Sequence, residues 1–168
     1  AEAGVDAVIS VQARRCMEEN DALLAHAEAH DWIAGVVGWV DPTRDDVADA
    51  LERCAGREKF LGVREVLQGM EDDAYCLRDD FNRGIARLQE FGLVYDILIF
   101  HRHLPNAITF VDRHPSQVFV LDHVAKPEIR TSTPDPDWQR NLEALAEREN
   151  VFCKLSGMVT EVVGEAEV

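Results

Sequence analysis

Six short apolar runs, each followed by a longer amphipathic stretch, constrain this chain more than any other feature. The runs lie at 6–12, 33–40, 60–64, 94–100, 118–121 and 151–155, and their starts are 24 to 34 residues apart. That spacing is the length of one βα unit. Near-continuous apolar strands, each followed by a helix, predict a parallel sheet with both faces covered. Helical periodicity is expected over 15–30, 41–57, 81–91, 104–114 and 137–149, with a polar loop over 68–79. Pro42 suits a first helical turn, Asp45 and Asp46 suit its dipole, Gly56 lies near the end of that helix, and Gly92 stops the next. No turn dipeptide joins two runs directly, so hairpins are not expected.

Two parallel architectures compete. A doubly wound sheet usually carries a glycine-rich phosphate turn after its first strand. Here that position reads Ala13-Arg14-Arg15-Cys16, with no glycine. A (β/α)₈ barrel typically takes about 250 residues, and 168 residues hold only six units. The expectation is therefore one domain over 1–168, an α/β TIM-barrel fold of about six parallel βα units without its first and last strands. Residues 1–4 read as the tail of a helix and 160–168 as a loop.

Charge and composition narrow the function classes. The net charge of -15 and the single adjacent basic pair, Arg14-Arg15, argue against a nucleic-acid partner. No apolar run approaches the roughly 20 residues that span a bilayer, and no signal peptide precedes the first strand. Cys16, Cys54, Cys76 and Cys153 form no CxxC pair. They read as small buried apolar groups in a reducing, cytoplasmic compartment.

Chemistry collects just after each run, where barrels place their active sites. In chain order these positions hold Gln12 and Arg14; Trp39 and Asp41; Arg64 and Gln68; His101, Arg102 and His103; Asp122, His123 and Lys126; and Lys154 and Ser156. Arg64 directly continues a buried strand. His123 ends an apolar strand, whereas His26, His30 and His114 lie on helices or at their ends and are read as surface groups. His101 and His103 are two apart, which in an extended segment aims both side chains the same way. That spacing suits a metal pair, or one working histidine beside a bystander. Lys154 lies within an apolar strand, so it must face a polar barrel mouth or pair with a carboxylate.

The strand-end segments also resemble a known family in chain order. They are Val-Val-Gly-Trp-Val-Asp at 36–41, Gly-Val-Arg-Glu-Val-Leu-Gln at 62–68, Tyr-Asp-Ile-Leu-Ile-Phe at 95–100, Arg-His-Leu-Pro at 102–105, Phe-Val-Leu-Asp-His-Val-Ala-Lys-Pro at 119–127 and Cys-Lys-Leu-Ser-Gly-Met at 153–158. Together they resemble the sugar-lactonase branch of the amidohydrolases, the group of L-fucono-lactonase and L-rhamnono-lactonase. The resemblance implies a barrel enzyme that opens a sugar-acid lactone by water attack. It implies that His103 and His123 are catalytic and, where a divalent metal (Zn or Mn) is used, its ligands; metal-free members also exist. It makes Arg64 the substrate-facing arginine; Lys154, Trp39 and Gln68, also at strand ends, are read with it as substrate-binding groups. The family's first-strand His-x-His and eighth-strand aspartate, the usual base, have no counterpart in this sequence. Two further readings stand beside this one. One is a metal-dependent decarboxylase of a small aromatic or unsaturated acid. The other is an inactive or noncatalytic subdomain whose open sheet edges invite pairing with another chain, including a second copy.

Overall fold

A computed structural model describes residues 4–129 and 135–162. The helix-tail reading of residues 1–3 and the loop reading beyond 162 lie outside them. Among the described residues, six strands alternate with five α-helices: β1 (Val8–Val11), α1 (Met17–Ala29), β2 (Ile33–Gly38), α2 (Val47–Ala55), β3 (Phe60–Val66), α3 (Asp79–Arg87), β4 (Val94–Leu98), α4 (Leu104–Asp112), β5 (Phe119–Leu121), α5 (Pro136–Ala146) and β6 (Val151–Cys153). The sheet order is β1-β2-β3-β4-β5-β6, and every pairing is parallel. A doubly wound sheet reverses its strand order at a switch point. This order never reverses, so the sheet curls one way as an incomplete TIM barrel.

Register decides which side chains face the helices. Val63, Tyr95, Phe119 and Val151 are successive register partners, and all belong to or pack on the main core. There Tyr95, Phe81, Phe110 and Phe119 meet largely edge to face, with Phe110 and Phe119 centroids 5.2 Å apart. The next row, Arg64, Asp96, Val120 and Phe152, points to the opposite, concave face. Phe152 is 60% exposed, so among the described residues this face is not covered as the apolar strand pattern predicted.

Several local expectations are corrected. The helix expected from Asp41 begins at Val47. Asp41 instead accepts from the backbone N–H and hydroxyl of Thr43 at 3.0 and 2.6 Å, a local turn that competes with helix. The segment His101–His103 is a 3₁₀ turn rather than extended, so the two histidines do not point alike. Gly92 does stop its helix, in the left-handed region at φ 65°. His114 is buried, not a surface group: its Nε2 lies 2.8 Å from Asn82 Oδ1, and burial lowers its pKa. Cys54 and Cys76 are buried as expected, and burial pushes the Cys76 thiol up to about 11. Cys16 is half-buried and Cys153 is exposed.

Candidate active site

At the carboxyl ends of the strands, alternating charges form a buried array. Asp122 follows β5 and is fully buried. Arg64 Nη1 donates to its Oδ2 at 2.7 Å, and Lys154 Nζ lies 2.6 Å from its Oδ1. Lys154, just beyond β6, also pairs with Asp96 of β4, which is 1% exposed. Arg64 extends the array to Gln12 after β1. Its Nε donates to Gln12 Oε1 at 3.2 Å, and Nη2 donates to the same oxygen at 3.0 Å and to the Gln12 carbonyl. The chain of contacts thus runs Asp96, Lys154, Asp122, Arg64, Gln12, and draws on β1, β3, β4, β5 and β6.

The electrostatics follow from burial. Desolvation raises the Asp96 pKa, and the neighbouring ammonium only partly offsets it. Burial alone would lower the Lys154 pKa, but its hydrogen bonds with Asp122 and Asp96 outweigh that and raise it. Lys154 therefore carries its charge at neutral pH. Its third N–H is free of the two carboxylates, and its side chain is 32% exposed. The ammonium thus keeps a donor for a ligand.

His123 stands beside this array, directly after Asp122. Its Nδ1 lies 2.9 Å from Ser156 Oγ. Neither His101 nor His103 is hydrogen-bonded into the array. His101 Nδ1 donates to the Lys126 carbonyl at 3.2 Å. His103 is buried; its Nδ1 accepts from the Phe100 N–H at 3.1 Å and its Nε2 lies 2.8 Å from Asp73 Oδ1. Arg102 and His103 in turn hold the Asp73 carboxyl below its ordinary pKa.

Trp39 takes a different direction. Its indole N–H donates to Glu65 Oε2 at 3.0 Å, and Arg15 Nε pairs with Glu65 Oε1 at 2.7 Å. Asn20 of α1 clamps the Trp39 backbone, accepting from its N–H at 2.8 Å and donating to its carbonyl at 2.7 Å. Gln68 lies in a 3₁₀ turn after β3, with its buried Oε1 lacking a donor.

Of the residues expected from sequence, Arg64, Lys154 and His123 are thus at or beside the array. His103, Trp39 and Gln68 have other surroundings. The expectation missed Asp96, although an aspartate inside an apolar strand was a visible signal, and it noted Asp122 and Gln12 without assigning them roles. As for metal, no three His, Cys, Asp or Glu side chains among the described residues gather as a site. Both His103 nitrogens are occupied, and structural zinc sites want four ligands and catalytic ones three. These residues do not form a metal site by themselves.

Parallel strands wound in one direction, with polar side chains convergent at their carboxyl ends, define the barrel class of α/β enzymes. Within that class, the amidohydrolase family profile matches residues 1–167, and the chain belongs to that family. It is 41% identical over 160 residues to L-fucono-1,5-lactonase of Burkholderia multivorans (strain ATCC 17616 / 249), covering 92% of this chain and 54% of that protein. It is 35% identical to L-fucono-1,5-lactonase of Burkholderia ambifaria, covering 96% and 55%. A crystal structure of a Burkholderia multivorans amidohydrolase with bound zinc superposes with a TM-score of 0.88 at 40% identity, over 96% of this chain and 57% of that one. The chain spans about half the length of the curated relatives it matches.

Proposed function

We propose that this chain, read as a single domain over 1–168, forms the substrate-facing part of a hydrolase that opens a sugar-acid lactone. The observation that carries this reading is the array itself. Two cations, Arg64 and Lys154, are matched by two buried carboxylates, Asp96 and Asp122. Such a row has no net charge to offer a carboxylate substrate, but it has directed donors for hydroxyl and ester oxygens. An uncharged, polyhydroxylated lactone fits it better than the acid a decarboxylase would take. The names of the two Burkholderia relatives support the same choice.

In this reading the free Lys154 N–H and Arg64 anchor the lactone oxygens and stabilise charge on the carbonyl. His123, with Nδ1 toward Ser156, keeps Nε2 for polarising the carbonyl or protonating the leaving alkoxide. His103 serves as the second catalytic histidine on releasing Asp73, which occupies its Nε2 at 2.8 Å. Trp39 contributes the face of its ring and Gln68 an acceptor. A divalent metal such as Zn or Mn would need ligands beyond those described, with His123 a ligand and His103 one only on leaving Asp73. The four free thiols support a cytoplasmic setting.

The test is an assay of the chain on L-fucono-1,5-lactone beside carboxylated aromatic acids, after chelation and with Zn or Mn restored. His123→Asn should lower lactone turnover by about 10²–10³ with an unchanged circular dichroism spectrum. Near-normal turnover removes His123 from the mechanism. Turnover of the acids but not the lactone overturns the reading.

A further inference from the structure

Four consecutive non-glycine residues after β5 occupy the left-handed region. His123, Val124, Ala125 and Lys126 have φ of 53, 54, 58 and 49°. In that region Cβ crowds the following carbonyl oxygen, so L-residues enter it singly and rarely in runs. Here the run closes into one left-handed turn, with the Lys126 N–H donating to the His123 carbonyl at 2.8 Å.

The surroundings hold this turn in place from several sides. The Trp138 indole N–H, on α5, donates to the Val124 carbonyl at 2.8 Å. His101 grips the Lys126 carbonyl at 3.2 Å. Gly157 lies against the His123 ring: a Cβ there would come within 2.8 Å of His123 Cγ and 2.9 Å of Nδ1. Strained backbone persists only where its surroundings over-determine it, and it concentrates at functional sites.

We propose that residues 123–126 are a strained left-handed mount for the His123 imidazole, and that Trp138 is the positioning residue that holds it. The link to catalysis rests on the reading of His123 as a working histidine. Trp138 acts at a distance, through one carbonyl. Without that hydrogen bond the turn relaxes toward ordinary backbone and the imidazole leaves its place beside Ser156.

Two measurements test this without any activity. Ala125→Gly relieves one left-handed residue, whereas Ala107→Gly removes an equally buried methyl from right-handed α4. The Ala107 variant should lose several degrees of Tm, and the Ala125 variant should stay within about 2 °C of the parent or rise above it. In Trp138→Phe, the His123 ring signals in a long-range ¹H–¹⁵N correlation spectrum should split or shift while those of His26, His30 and His114, which do not touch the turn, keep theirs. On the lactone, Trp138→Phe should lower kcat about ten- to a hundredfold with KM little changed. Equal Tm losses in the two glycine variants, or unmoved His123 signals in Trp138→Phe, overturn the proposal. An inactive parent chain instead tells against the lactonase reading, and the Tm and ring-signal results still decide the mount.

Discussion

Lys154 shows how a single residue depends on partners far away in the chain. An ammonium after an apolar strand has to find carboxylates, and it finds Asp96 on β4 and Asp122 just beyond β5. Because its folded pKa is raised, its contribution to stability is complete below about 10.5 and is lost as pH rises through the folded value. Asp96→Asn removes one of the two raising partners. The alkaline limb of a Tm-against-pH curve should therefore move to lower pH in that variant; identical limbs would mean that Asp96 does not hold the ammonium. Asp96 works in the same sense, but in the acid range. Its raised pKa favours the protonated form in the fold, so its effect is present at acid pH and disappears as the carboxyl ionises.

At the scale of elements, the close approach of α3 to the β2–α2 connection is the most demanding contact. A Cβ on Gly84 would lie 2.0 Å from the Pro42 carbonyl oxygen, and the obstacle is backbone rather than a movable side chain. Gly84→Ala should cost about 1–3 kcal/mol through overpacking, read as a fall of several degrees in Tm by calorimetry. An unchanged Tm would show that α3 can slide away from Pro42. The same connection shows where sequence periodicity misleads. Asp41-Pro42-Thr43 has the composition of a helix start, yet the Asp41 side chain is used by Thr43, and α2 begins six residues later. Asp, Ser and Thr offer the backbone alternatives that periodicity does not register.

For the whole molecule, open edges and net charge oppose each other. Among the described residues β1 and β6 each pair on one side only, and exposed Phe152, Ile9 and Val8 lie on those strands. Unpaired strand edges attract other chains, while a net charge of -15 keeps copies apart. Salt shortens the screening length from about 10 Å at 0.1 M to about 3 Å at 1 M. The mass measured by light scattering should therefore rise with added salt, through pairing of copies of this chain. A monodisperse monomer at both salt concentrations would mean that the edges are protected.

By itself the sequence determined the order and kind of the elements and the level of the site. Apolar runs at βα spacing allow little besides a parallel sheet, and polar residues that directly follow such runs have to lie at the strand ends. Arg64, His123 and Lys154 were legible for that reason. Only the tertiary structure decided which charges meet. Asp96 and Lys154 are 58 positions apart, as are Arg64 and Asp122, and it is strand register that brings each pair together. It also buried His114 against Asn82, turned His103 toward Asp73, and bent residues 123–126 to the left. Each of these depends on a partner distant in the chain, and local pattern carries information only about neighbours along it.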